Sequence, residues 1–382
     1  MINRGDGVGL ARELVRLDSR NPSLVVDGPG EQAVARRLAD VLGEWGLDVT
    51  LREAAPGRPN VIARLPGRGK AGRSLLFNGH IDVVGVEGMI HPPFEAFEEG
   101  GRIYGRGACD MKGGVAAMCA AAAQLRGVLK GELIVTAVVD EEWRSLGTSA
   151  LIDDGVRADA AIVTEPTRLA IMPAHRGFVW IEVIVHGKAA HGSRYDIGVD
   201  AIRHAGLLLA ELDRVDEEEL PRRTHPLLGR PSLHAAFIEG GIGLSTYPDR
   251  CTVRVERRIV PGESSSEVRQ EIERACDRVN AARPSFRAEV EVLFSQPPSD
   301  VPPDAPLVRA LSDILSERGM SSAVAGMSAW TDAALLNAAG IPAICFGPGD
   351  MGLAHAAEEY IEVEEIERAT DVLAAFARSW CN

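Results

Sequence analysis

No two cysteines in this chain are spaced as a CxxC pair, no apolar run is long enough to span a membrane, and cations are in deficit. Each shortage excludes a class of protein. Six scattered cysteines (Cys109, Cys119, Cys251, Cys276, Cys345 and Cys381) fit reduced thiols rather than a disulfide framework or a zinc ribbon. A membrane helix needs about 18 consecutive apolar residues, and the N-terminus is broken by charges every few residues, unlike a signal peptide. A cytoplasmic protein without membrane association is expected. Against 55 Asp and Glu there are only 41 Lys and Arg, a formal net charge of −14. Phosphate binding draws on clustered cations, so nucleic acid is not an expected partner.

What is present describes a globular protein: 46% of residues are hydrophobic and 25% charged, over 382 residues, a length that predicts two domains. Apolar residues from Leu10 to Leu17 recur at helical spacing until Asn21-Pro22-Ser23 stops the helix. SLLFNGHIDVV (74–84) and GELIVTAVVDEE (131–142) begin apolar and end charged, as buried strands do when they carry side chains to their C-terminal edge. The Ala-rich segment between them, 112–128, reads as a helix, and helix 146–155 precedes the short strand 160–165. Such alternation predicts an α/β layer structure with its ligands at the carboxyl ends of strands.

From about residue 176 the pattern becomes strand, helix, strand, helix, strand, with alternating strands at 178–187 and 251–260 and a helix over 265–282. This predicts a small α+β module with one solvated sheet face. The Pro-rich stretch 295–306 then marks a boundary, after which helix and strand alternate again. The expected fold is therefore α/β: a mixed-sheet catalytic domain flanked by helices, in two parts (1–175 and 295–382), with a smaller α+β domain (176–294) inserted.

Five segments end in residues able to bind metal. NGHID (78–82) sets His80 and Asp82 on one face of a strand, so that His80 can ligate through one ring nitrogen while Asp82 orients the ring through the other. In YGRGACDMKGG (104–114), Asp110 stands among glycines before the Ala-rich helix; it can bridge cations or simply cap that helix. Asp140, Glu141 and Glu142 crowd the end of an apolar strand, where like charges repel unless cations are near. Glu165 in VTEPT and His355 after the Gly-Pro-Gly turn of FGPGDMGLAH complete the set. Each signal alone is compatible with ordinary structure. Together, two histidines and three carboxylates suit a dinuclear site of borderline cations.

The order and wording of NGHIDVV, YGRGACDMKGG, DEE, TEP and a late GPG…AH resemble the metallo-aminoacylase and carboxypeptidase family that includes acetylornithine deacetylase, succinyl-diaminopimelate desuccinylase and carboxypeptidase G. MSAWTDAALL is most similar to the acetylornithine deacetylase-like branch and makes Trp330, Thr331 and Asp332 pocket neighbours. By this resemblance Asp110 bridges two metals, His80 and Glu165 complete one, and Glu142 and His355 complete the other. A cis peptide at Asp110–Met111 is also implied.

The inserted domain resembles the family's lid and dimerisation domain, in which GKAAHGS (187–193) lends His191 to the active site of the partner subunit of a homodimer, to stabilise the oxyanion. Arg258 matches a substrate-carboxylate clamp, a role suited to a guanidinium fork, with Arg257 as support. Ser245 stands three residues before Pro248, where several members have an asparagine, so a polar contact to the scissile carbonyl is weakened or supplied differently. Gly347 and Gly349 are expected at the substrate.

The implied cofactors are two divalent ions, zinc first, with cobalt or manganese as alternatives. The implied reaction is cleavage of the amide of a small N-acyl amino acid by a metal-bridged hydroxide, with Glu141 as general base. A dipeptidase or glutamate-carboxypeptidase-like exopeptidase is the alternative enzyme, since acyl and aminoacyl groups differ little at the carbonyl. A catalytically silent metal- or ligand-binding protein is the alternative from another class.

Overall fold

The structure, a computed structural model, describes residues 2–69 and 72–382. It divides into a first unit, Met1–Pro173 with Val301–Ala325 and Thr331–Asn382, and a second, Ala174–Asp300 with Gly326–Trp330. The chain begins with helices α1 (Gly7–Val15) and α2 (Gln32–Glu44), then strands β1 (Asp48–Ala55), β2 (Arg58–Leu65) and β3 (Leu75–His80). Strands β4 (Glu98–Glu99) and β5 (Arg102–Tyr104) precede α3 (Gly113–Ala123), β6 (Leu133–Val138), α4 (Leu146–Asp153), β7 (Ala161–Val163) and β8 (Ile171–His175). The second unit adds β9 (Gly177–His186), α5 (Ala201–Arg214), β10 (Ser232–Gly240), β11 (Arg250–Ile259), α6 (Ser265–Ala282), β12 (Arg287–Gln296) and β13 (Ser299–Asp300). The return runs through α7 (Pro306–Glu317), β14 (Val324–Met327), α8 (Ala333–Ala338), β15 (Ala343–Cys345), β16 (Tyr360–Glu362) and α9 (Val363–Trp380).

The large sheet is mixed, in the order β1-β2-β6-β3-β7-β15-β8. Its middle four strands, β6, β3, β7 and β15, are mutually parallel, so their carboxyl ends share one edge. All residues of β3 and β6 are buried, which is why each strand opens on an apolar run and shows no alternation of apolar and polar residues. Helix α3 is buried on every side. Only small residues permit that position: a Cβ on Gly114 would stand 2.0 Å from the Thr164 carbonyl oxygen, and one on Gly113 would stand 2.2 Å from Ile361 Cδ1.

In the second unit an antiparallel sheet, β10-β11-β9-β12, packs against α5 and α6. Val179, Ile181, Val183 and Val185 of β9 point into that core, and alternate residues face away. The module has one strand more than the sequence pattern suggested. That strand is β10, an edge strand whose residues are exposed from His234 onward, so no alternation marks it. The hairpin β1–β2 and helix α2 also went unread, and Gly326–Trp330 joins the second unit from beyond the expected boundary. All six cysteines are free and buried. Among the described residues no helix is long and apolar enough to cross a membrane.

Arg257 is a structural tie. Fully buried on β11, it pairs with Glu271 of α6 at 3.0 Å and with Glu263 at 2.6 Å. Replacing Arg257 with Met leaves Glu263 and Glu271 sharing the half-exposed Arg223, at 3.0 and 2.7 Å, and a broken buried pair costs up to about 3–5 kcal/mol. The unfolding free energy of Arg257→Met should fall by more than about 1 kcal/mol, read as a lower urea midpoint at an unchanged slope. A loss below about 1 kcal/mol, the range of exposed pairs, would contradict this role.

Candidate metal centre

At the shared edge, β3 ends in His80 and Asp82 follows; β6 is followed by Asp140, Glu141 and Glu142; β7 is followed by Glu165. Asp110 arrives just before α3, next to a cis peptide bond between Asp110 and Met111. Donor atoms of His80, Asp110 and Glu142 all lie within 4.8 Å of one another, a group that could hold a metal ion. The two oxygens of Asp110 face different histidines: Oδ1 is 3.0 Å from His80 Nε2 and Oδ2 is 3.4 Å from His355 Nε2. His355 Nε2 also lies 3.0 Å from a Glu142 oxygen. A carboxylate opening toward two histidines in this way is suited to bridging.

Glu165 is buried, and its Oε1 has no hydrogen-bond partner. An orphaned buried carboxylate oxygen is costly. Burial first, and then the charge of Asp110, pushes the Glu165 pKa well above the usual carboxylate range. Glu142 is raised by burial and by Asp110, and Glu141 is raised well above its usual range, chiefly by burial. On the histidines the carboxylates prevail. The His355 pKa is raised to about 10 by its bonds to Asp110 and Glu142, and the carboxylates around His80 overcome its burial and hold its pKa high. The cluster is thus a shielded excess of negative charge with imidazoles on its rim, a donor set that fits divalent cations.

The ring of His80 is oriented somewhat differently from expectation. Its Nδ1 is 3.0 Å from the Asp82 backbone carbonyl and 3.5 Å from the Asp82 carboxylate. That carboxylate has other donors: the amides of Glu141 (3.1 Å) and Glu142 (3.2 Å), and Asn21 Nδ2 (2.8 Å). Asp82 therefore fixes the loop carrying Glu141 and Glu142 as well as His80. Asn21 had been read only as a helix stop, yet it is fully buried and its amide also reaches Asp140 at 3.1 Å. Behind it, Arg58 donates to Asp140 at 2.7 Å and pairs with buried Glu31. Nothing local in the sequence signals this chain of partners, because Asn21 lies 61 and 119 residues from the groups it joins.

Two groups not singled out in the sequence, Glu359 and Lys112, adjoin the Asp110 segment. Glu359 accepts from the Cys109 and Asp110 amides (3.0 and 3.1 Å) and from Arg106 (2.7 Å), steadying the Asp110 backbone. Lys112 is buried and donates to the Leu17 carbonyl at 2.8 Å. The buried carboxylate of Asp332, named earlier only as a pocket neighbour, accepts from Thr148 at 2.6 Å and has its pKa raised by burial to about 6.

Gly347 and Gly349, expected at the substrate, have their amides bonded within the fold. Gly347 donates to Thr167 Oγ1 at 3.1 Å and Gly349 to Glu365. Their small size is what the loop requires: a Cβ on Gly347 would meet the Thr164 carbonyl oxygen at 2.4 Å, and Gly349 has φ +97°.

His191, Ser245 and Arg258 belong to the second unit. His191 and Ser245 lie on paired exposed segments, with the Gly192 amide bonded to the Ser245 carbonyl at 2.7 Å and His191 Nδ1 2.8 Å from Ser193 Oγ. Arg258 pairs with Glu256 at 2.6 Å and lies over the Phe178 ring at 5.4 Å.

A family model described as peptidase family M20/M25/M40 matches residues 76–379. The chain is 33% identical over 337 residues to an acetylornithine deacetylase of Myxococcus xanthus, across 87% of this chain and 86% of that protein. It is 30% identical over 377 residues to an N-formyl-4-amino-5-aminomethyl-2-methylpyrimidine deformylase of Bacillus subtilis, across 90% and 88% of the two chains. The crystal structure of an M20 family metallo-carboxypeptidase from Sulfolobus solfataricus superposes with a TM-score of 0.81 at 19% identity, covering 98% of this chain and 99% of that one.

Two outcomes follow from this geometry. Asp110→Ala should lose bound metal, measured by elemental analysis after dialysis; full occupancy would rule out a bridging carboxylate. Asn21→Ala should keep its metal but lower kcat by about 100-fold, the scale of an ångström misplacement; unchanged kcat would show that the Glu141 loop does not need the amide.

Proposed function

Since this chain belongs to peptidase family M20/M25/M40 and is a metal-dependent hydrolase of linear amides, we propose that it deacylates a small N-acylated amino acid with Glu141 as the proton-transfer group. The observation that carries this is the position of Glu141. Its carboxylate is 3.9 Å from His80 Nε2 and nearly buried, yet it lies outside the trio of close donors. A base so placed can reach water at the centre without being used up as a ligand.

His80, Asp110, Glu142, Glu165 and His355 would hold two divalent ions, with zinc the natural choice for imidazole and carboxylate donors. When bound, such ions acidify water and polarise the scissile carbonyl. Glu141 takes a proton from the attacking water and returns it to the departing amine nitrogen. Asp82 and Asn21 hold the backbone that carries Glu141. His191, supplied by the partner subunit of a homodimer, would donate to the developing oxyanion, and Arg258 would grip the substrate carboxylate.

The names of the two relatives described above, a deacetylase and a deformylase, support removal of an acyl group from nitrogen. The metallo-carboxypeptidase supports the fold alone. The test is a panel of N-acetyl and N-formyl amino acids beside dipeptides, assayed with added zinc or cobalt. Acyl amino acids should be preferred, and Glu141→Ala should bind metal normally while losing about 10²–10⁴-fold in kcat. Near-normal turnover in that variant would overturn the assignment, and preference for dipeptides would convert it to an exopeptidase.

A further inference from the structure

Glu141 and Glu142 are carried in a tight turn over residues 140–145, and the chain enters that turn through a left-handed residue. Asp140 has φ +67°, a conformation uncommon outside glycine, with Asn and Asp the usual exceptions. Its carbonyl accepts from the amides of Trp143, Arg144 and Ser145 at 3.3, 3.1 and 2.6 Å. The conformation of Asp140 therefore sets the direction in which Glu141 leaves β6. Asp140 is fully buried, so its carboxylate has to be held from inside the protein.

The grip comes from β2, the neighbour of β6 in the sheet. Arg58 and Asn60 stand two apart on this strand, so their side chains share a face. Asn60 holds the approach to the turn: its Oδ1 accepts from the Val139 amide at 3.1 Å and its Nδ2 donates to the Gly147 carbonyl at 2.8 Å. Arg58 holds the turn itself, with Nη1 donating to Asp140 at 2.7 Å. The rest of the guanidinium is fixed by Glu31, fully buried just ahead of α2, whose two oxygens accept from Nε at 2.9 Å and from Nη2. A planar fork anchored along one edge has its remaining N–H groups aimed in a single direction.

We infer that Arg58 is a positioning residue for the hydrolytic reaction: oriented by Glu31, it holds Asp140 in its left-handed conformation and so sets where Glu141 stands beside His80. Its side-chain hydrogen bonds run to Glu31, Ser23 and Asp140 and to none of the five expected metal ligands. Arg58 therefore acts through the turn alone. Asn21 reaches Asp140 and Asp82, but Arg58 is the charged anchor and ties the turn to the buried end of α2. The inference rests on Glu141 as the proton-transfer group and adds a residue of β2 to those that place it.

The test measures kcat, KM and metal content with N-acetylornithine and N-acetylmethionine on the zinc-loaded protein. Arg58→Met should lower kcat about 10- to 100-fold, the scale of an ångström misplacement, with KM and metal content unchanged. Arg58→Lys should fall between, since it keeps the charge but loses the fork, and it serves if the Met variant does not fold. In an Asp140→Ala background Arg58→Met should cost no further kcat, because residues that act through one contact are not additive; two losses that simply multiply would overturn the role. An Arg58 that served stability alone would lower the thermal midpoint and leave the kcat of the folded protein unchanged, which would overturn it as well. The crystal structure of the Arg58→Lys protein needs no substrate: the Glu141 carboxylate should move away from His80, and an unmoved Glu141 counts against the inference. Lost turnover in Glu141→Ala beside normal kcat in Arg58→Met would sink the positioning role alone, whereas normal turnover in Glu141→Ala would sink the reading of Glu141 and this inference with it.

Discussion

The desolvation of clustered carboxylates is the constraint that the rest of the first unit answers to. Parallel strands bring acids to one edge by construction, and an acid shielded from water must find a donor, a cation or a proton. The fold divides its acids accordingly. Asp82 and Asp140 lie behind the centre and are satisfied by backbone amides, Asn21 and Arg58. Asp110 is held below the usual carboxylate range because its bonds to His355 and His80 outweigh its burial. Glu141, Glu142 and Glu165 stand in front with raised pKa values and, for Glu165, an orphaned oxygen. The fold has thus spent its own donors on Asp82 and Asp140 and left Glu141, Glu142 and Glu165 with their charge poorly compensated.

Delivering Asp110 into that cluster depends on packing rather than charge. Its segment leads directly into α3, and α3 approaches β7 so closely that a single methyl group on Gly114 would overlap the Thr164 carbonyl. The run of Gly and Ala in α3 is therefore the steric condition for the centre. It carries no amphipathic stripe because it is buried all round, with α1 and α9 on its other sides. Glu359 completes the arrangement from the C-terminal part of the chain by accepting the two amides at Cys109 and Asp110.

How much of this was legible in the sequence follows from which signals are local. Strands β3 and β6 announce themselves because burial on both faces lets each open on an apolar run, and the acids that follow them are conspicuous by contrast. His80, Asp110, Glu142 and His355 are brought together from segments whose wording already resembled a family. What escaped was whatever needed pairing over long separations or had no periodicity. Strand β10 lies at an edge with most residues exposed, so neither face is marked as core. Asn21 looks like any residue before a proline until Asp82 and Asp140 are placed around it. A steric need is equally invisible in the sequence at Gly347, where the Thr164 and Glu165 carbonyl oxygens occupy the place a Cβ would take.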